Sequence, residues 1–164
     1  MNPGIYEEEN YKTTVLLNLV RQMVGKSDEL TQTRLKNSVL GMMNYNARLD
    51  VVDSDGRDAM SYAILHNNMD FAEFLIANKV EGNLKTDLRD VAGKTAAHLV
   101  VNPLPFGSYE NRVLLKKLSD AGYQMDVQDS QNKTPSDYAK HQGTGVLHKE
   151  LCQILGVPED LPKR

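Results

Sequence analysis

Four histidines, His66, His98, His141 and His148, and 22 acidic side chains are the residues of this chain that invite an enzymatic reading. Zinc needs three or four converging ligands, and His141 and His148 flank Gln142-Gly143-Thr144-Gly145 with no acid at ligand spacing. Gly143 and Gly145 could be read as a phosphate-cradling loop. A dinucleotide fingerprint needs a preceding strand and a third glycine, and a P-loop needs Lys followed by Ser or Thr; neither context is present. The plainer reading is a turn between two helices, where glycine accommodates left-handed backbone. Cys152, the single cysteine, lies beside Leu151 and close to Leu155, as a packing residue would. No serine, histidine and acid share a spacing that argues for a triad. The residues therefore predict no catalytic group, no metal site and no cofactor.

Composition agrees. With 19 basic and 22 acidic residues, a net charge of -3 and 40% hydrophobic residues, the chain is ordinary globular material, and its length suffices to bury most of the surface of the unfolded chain. A lone cysteine excludes an internal disulfide and a cysteine-based zinc site, and points to a reducing intracellular compartment. No apolar run reaches membrane-spanning length, and Met1-Asn2-Pro3-Gly4 followed by Glu7-Glu8-Glu9 lacks a signal-peptide pattern. The acidic balance removes the general driver of nucleic-acid binding.

The elements that position these residues are repeated. DSDGRDAMSYA from Asp53, DVAGKTAAHLV from Asp90 and DSQNKTPSDYA from Asp129 align, with an acid first and Gly56, Gly93 or Asn132 fourth. Gly or Asn supports a tight left-handed turn, the acid supplies a side-chain acceptor to it, Thr95 and Thr134 are placed to cap the following helix, and Pro135 sits where a helix tolerates proline. A second helix follows in each segment. Phe71, Phe74 and Leu75, then Leu114, Leu118 and Ala121, then Leu147, Leu151, Ile154 and Leu155 form its apolar stripes, ending at Asn78, Gly122 and Gly156. Before Asp53 two further stripes, Leu16, Leu19, Val20, Met23 and Val24, then Leu35, Val39, Met42 and Met43, predict another helix pair.

These segments resemble the ankyrin-repeat family, whose signature Thr-Pro-Leu-His-x-Ala opens a helix-turn-helix unit. Thr95 and His98, and Thr134, Pro135 and Ala139, keep parts of it; Asp58 stands for Thr, Ala59 and Ala96 for Pro, Ser61 and Asp137 for His, and Val100 for Ala. The spacings, 37 residues from Asp53 to Asp90 and 39 from Asp90 to Asp129, exceed the family period of about 33, so insertions are expected near Lys79 to Gly82 and in NPLPFGSYEN. The resemblance implies an all-α ankyrin-repeat solenoid of about four stacked units with short hairpin projections. The expected division is a flexible acidic leader (1–10), a degenerate N-terminal capping repeat (11–52), a repeat (53–89), a repeat with an inter-helix insertion (90–128), a C-terminal repeat (129–156) and a tail (157–164).

What the family resemblance implies is a non-catalytic protein-protein interaction module of the cytoplasm or nucleus, monomeric, working through its concave face and hairpin tips. His98 would hydrogen-bond backbone across adjacent turns. Arg57, Lys94 and Lys133 recur directly after the turn Gly or Asn and would form a basic column suited to an acidic or phosphorylated partner; the alternative is a solvated column whose charges pair with Asp55 or Asp58. His66 is expected at the surface, at the end of the first helix of its unit, where it is available to a partner. Phe106 and Tyr109 stand on the inter-helix insertion, either as a recognition element or folded back over the helix pair. The runs His98 to Asn111 and AGYQMDVQDSQNKTP are also similar to the ankyrin segment of invertebrate tankyrase-like poly(ADP-ribose) polymerases. That similarity would place the chain as the substrate-recruiting part of a larger nuclear, NAD-dependent ADP-ribosyltransferase whose catalytic domain lies elsewhere.

Overall fold

A computed structural model of the chain describes residues 15–78, 85–101, 109–140 and 146–156; of residues 109, 110, 140, 146–148 and 151 the backbone alone is described. The chain divides into two compact units, Met1–Lys85 and Thr86–Arg164. Among the described residues every regular element is helical.

The first unit contains a helix over residues 15–23 (α1), then α2 (Glu29–Asn44), α3 (Ala59–Leu65) and α4 (Met69–Ala77). Leu16, Val20 and Val24 recur every fourth residue and are buried, whereas Leu19 and Met23, on the edge of the stripe, are half-buried. The same gradation holds along α2, where Leu35 and Val39 are buried and Met42 and Met43 half-buried. Each of the next three helix starts has a side-chain cap that satisfies an otherwise free amide. Asp28 accepts from the Thr31 amide at 2.7 Å, Asp58 from Ser61 at 2.8 Å and Asn68 from Phe71 at 3.0 Å. Helix α4 packs on α2 and α3, with Phe71, Ala72 and Leu75 sealed from water; removing the Leu75 side chain would cost about 2–5 kcal/mol. Polar contacts join the two inter-helix turns. The Asn68 amide donates to the Val24 carbonyl at 2.9 Å and to Gln32 Oε1 at 2.6 Å, and Gln32 Nε2 donates to the Met23 carbonyl at 3.1 Å.

The second unit contains α5 (Ala96–Val101), α6 (Tyr109–Asp120), α7 (Pro135–Lys140) and α8 (Val146–Leu155). The pairs α5/α6 and α7/α8 are helix-turn-helix hairpins, and α5 packs on α7 while α6 packs on α8, giving one layer of first helices and one of second helices. Val100, Val101, Leu114, Leu115, Leu118, Cys152 and Leu155 form the core. Helix α5 is buried along nearly all its described length because it has a neighbour on each side. Both inter-helix segments, 102–108 and 141–145, lie outside the described residues, as does 79–84.

Candidate functional site

The three aligned acids build three copies of one loop. Asp53 Oδ1 accepts from the amides of Asp55 (2.9 Å) and Arg57 (3.1 Å), Asp90 Oδ1 from Ala92 and Lys94 (both 2.9 Å), and Asp129 Oδ1 from Gln131 (2.8 Å) and Lys133 (3.0 Å). In each copy the acid's own amide also donates to the carbonyl of the basic residue four positions on. Gly56, Gly93 and Asn132 take φ of 74°, 72° and 57°, the left-handed region that asks for Gly or Asn. The acids are thus structural acceptors, and the loop directs Arg57, Lys94 or Lys133 from a fixed backbone.

Within the second unit two such loops lie against each other. The Ser130 amide donates to the Ala92 carbonyl at 3.0 Å, and Arg89 Nη1 to the Gln128 carbonyl at 3.0 Å. A Cβ at Gly93 would stand 2.8 Å from Ser130 N and 2.9 Å from its Oγ, so glycine is required there by contact as well as by φ. The outcome is a rigid ledge whose tip exposes Val91, at 72% of its surface, together with Arg89 and Lys133.

Lys94 and Lys133 come together over one ring. Their ammonium nitrogens lie 5.3 and 5.7 Å from the Tyr138 centroid, within cation–π range. The Tyr138 hydroxyl donates to Asp129 Oδ2 at 2.6 Å, which completes the hydrogen bonding of that carboxylate. This bond, burial and the adjacent negative charge push the phenol up to about 12. Burial acts to raise Asp129, yet the bonds it accepts from Tyr138, Lys133 and Gln131 outweigh it and hold the carboxyl below its ordinary value. The ion pairs formed among the described residues, such as Lys36–Asp70, Arg48–Asp50 and Lys85–Asp50, leave out Arg57, Lys94 and Lys133. Asp58, one of the expected counter-charges, is instead the buried cap of α3; burial raises its pKa against the opposing Ser61 hydrogen bonds.

His98 ties the two loops from below. It is wholly buried; Nδ1 accepts from the Thr95 amide at 3.1 Å, and Nε2 stands 2.9 Å from the Lys133 carbonyl. That arrangement requires a neutral ring with its proton on Nε2, and burial, the dominant cause, lowers its pKa. Thr134 caps α7 as its type suggests, accepting from the Asp137 amide at 3.2 Å, but the Thr95 hydroxyl is 3.0 Å from His98 Nδ1 and engages the imidazole. In the first unit His66 is exposed at the end of α3 and stacks on Tyr62 at 6.4 Å. A Cβ on Gly25 would fall 2.9 Å from its Nδ1. Phe106 and the Tyr109 side chain, like the glycines of 143 and 145 and the side chains of His141 and His148, lie outside the described residues.

The second-helix layer has a groove of about 310 Å³ lined by Arg112, Val113, Lys116, Glu150, Gln153 and Ile154, in which Arg112 pairs with Glu150. Among the described residues no cluster of three metal-ligating side chains occurs, and no helix is long and apolar enough to cross a membrane.

Sequence reasoning missed Tyr62, Tyr138 and Arg21. The signal was available: a tyrosine stands nine residues after the loop acid in DSDGRDAMSY and DSQNKTPSDY, whereas the middle repeat has Leu99 there.

The helix pairs, the loops before each first helix and the layering of first on first and second on second helices define the ankyrin-repeat fold. Among solved structures the chain is similar to the ankyrin repeat protein EF0377, with a TM-score of 0.57 and 24% identity, over 72% of this chain and 56% of that one. The chain thus spans little more than half the length of that neighbour, and at this identity the likeness is one of fold. No family model matches the sequence, and no curated protein does. The fold is that of an all-α ankyrin-repeat solenoid, in which each helix pair packs on its neighbours along the chain.

Proposed function

We propose that this chain is a non-catalytic binding module that takes an acidic segment of a partner protein on the hairpin ledge of its second unit. The observation that carries the reading is the convergence of Lys94 and Lys133 on the Tyr138 ring with no ion pair at either lysine among the described residues. Ordering two cations on a rigid surface beforehand reduces the conformational entropy lost on binding, and the attraction they offer is charge-assisted. Arg89 and the exposed Val91 on the same ledge add a further cation and an apolar contact beside the pair. Partner segments would dock with little rearrangement, because the loops are closed by their own hydrogen bonds.

The test is capture of proteins by the full chain and by the K94E/K133E variant, followed by direct affinity measurement with each identified partner. Two reversed charges should weaken an acidic partner at least about tenfold and reduce the dependence of affinity on salt. Equal affinity for both chains would overturn the reading. The alternative parent, a tankyrase-like polymerase, rests on sequence similarity over residues 98–111 and 121–135 alone, and half of the first run lies outside the described residues. Finding an ADP-ribosyltransferase domain in the same polypeptide would be its test.

A further inference from the structure

The chemistry of the Tyr138 site occurs a second time, in the first unit. Tyr62 donates its hydroxyl to Asp53 Oδ2, as Tyr138 does to Asp129, and Asp53 Oδ1 holds the loop amides in the same way. The Arg21 guanidinium, from α1, lies 5.6 Å from the Tyr62 ring centroid and Arg57 follows the loop glycine as Lys133 follows Asn132. Both arginines bear electrostatically on the Tyr62 hydroxyl, and Arg21 on Asp53 as well. Neither arginine forms an ion pair among the described residues, and Arg57 Nε is buried without a hydrogen-bond partner. Arg21 is exposed and Arg57 half-exposed. In the repeat between them Leu99 replaces the tyrosine, so the arrangement is formed once in each unit and not by every repeat.

From these geometries we infer that the chain carries two separate sites of related chemistry, Arg21 over the Tyr62 ring with Arg57 on the loop that Asp53 closes, and Lys94 and Lys133 over the Tyr138 ring, each taking a carboxylate side chain of an acidic protein segment. The inference rests on the reading of the second unit given above and extends it to the first. At each tyrosine the two cations and the one aspartate that accepts the phenol hydrogen bond sum to a single positive charge, which matches a glutamate or aspartate more closely than a phosphoryl dianion at about -1.5 to -2. The flat arginine forks of the first site suit a bidentate carboxylate contact, while the ammonium groups of the second act as point charges. A partner with two acidic stretches would engage both sites of one chain, gaining affinity from the second contact wherever its linker spans them.

The experiment is an NMR titration of the isotopically labelled full chain with a capped tetraglutamate peptide, following the ring resonances of Tyr62 and Tyr138. Both rings should shift saturably. R21Q/R57Q should weaken the Tyr62 response about fivefold and leave Tyr138 unchanged, and K94Q/K133Q should do the reverse. Glutamine keeps much of the aliphatic stem of each side chain and removes only its charge, and the dispersion of the amide resonances of the altered unit reports that its fold persists. A Tyr138 response with Tyr62 silent, or a Tyr62 response that R21Q/R57Q leaves untouched, would overturn the two-site inference alone. Silence at Tyr138 would remove the functional reading beneath it. A phosphoserine peptide binding more than tenfold tighter than tetraglutamate would overturn the assignment of carboxylate as the ligand.

Discussion

Replacing Gly93 by alanine strikes the contact that makes the second unit's loops a single ledge. The residue sits at φ +72°, and an added Cβ would meet Ser130 N at 2.8 Å, Ser130 Oγ at 2.9 Å and the Asp129 carbonyl carbon at 3.3 Å. Two of these are backbone atoms, which cannot rotate aside. Left-handed backbone costs an alanine about 1–2 kcal/mol. Parting the loops forfeits the Ser130–Ala92 hydrogen bond, about 1 kcal/mol, and the remaining crowding adds about 1–3 kcal/mol. A loss of about 3–6 kcal/mol follows, enough to lower the melting temperature by roughly 10–20 °C. The control is Gly122→Ala: φ is +88° but nothing lies within 4 Å of the added carbon, so only the backbone term of about 1–2 kcal/mol applies. Thermal and denaturant unfolding of both variants, with hydrogen exchange at the Ser130 amide, measure the difference. If Gly93→Ala costs no more than Gly122→Ala, or the Ser130 amide stays protected, the packed ledge is refuted.

Three further expectations concern the groups around that ledge. Because burial lowers the folded pKa of His98 below its ordinary 6.5, the unfolded chain takes up the proton first, so stability present above about pH 6.5 should drain away as pH falls towards the folded value; His98→Ala should flatten that slope and cost about 3 kcal/mol at neutral pH by orphaning the Thr95 amide and the Lys133 carbonyl, as pH-resolved denaturation will show. Tyr138→Phe should remove one phenol titrating at about 12 from the alkaline ultraviolet difference spectrum and cost about 1–2 kcal/mol through the lost bond to Asp129. Asp58→Ala should destabilise the first unit by about 1–2 kcal/mol, whereas Asp58→Thr, the residue type of the ankyrin signature, should keep the cap and lose far less; paired urea melts decide.

The fold was legible because its periodicities are local. An acid, a glycine or asparagine and a helix start recur within ten residues, and Leu16, Val20 and Val24 or Leu114 and Leu118 mark their faces by spacing alone. His98 was legible for the same reason, since the ankyrin signature fixes its place at the head of a helix. The site was less so. The basic residues after each turn could be picked out, but Lys94 and Lys133 meet on Tyr138 only because adjacent repeats bring together residues 39 apart, from Lys94 to Lys133, and Arg21 reaches Tyr62 from helix α1, which no turn motif introduces. Asp58 shows the converse. As a charge it looked available to pair with Arg57, yet its position before a helix start gives it a buried capping role that charge alone does not reveal.

The central claim, that the ledge is where a partner's acidic segment binds, is tested most directly by mapping amide shifts of the full chain during titration with tetraglutamate. The account predicts saturable shifts gathered at residues 90–94 and 129–133 and at the Tyr138 ring, weakening with added salt and lost in K94E/K133E. Shifts confined instead to the Arg112–Glu150 groove between α6 and α8, or unchanged by the charge reversal, would contradict it.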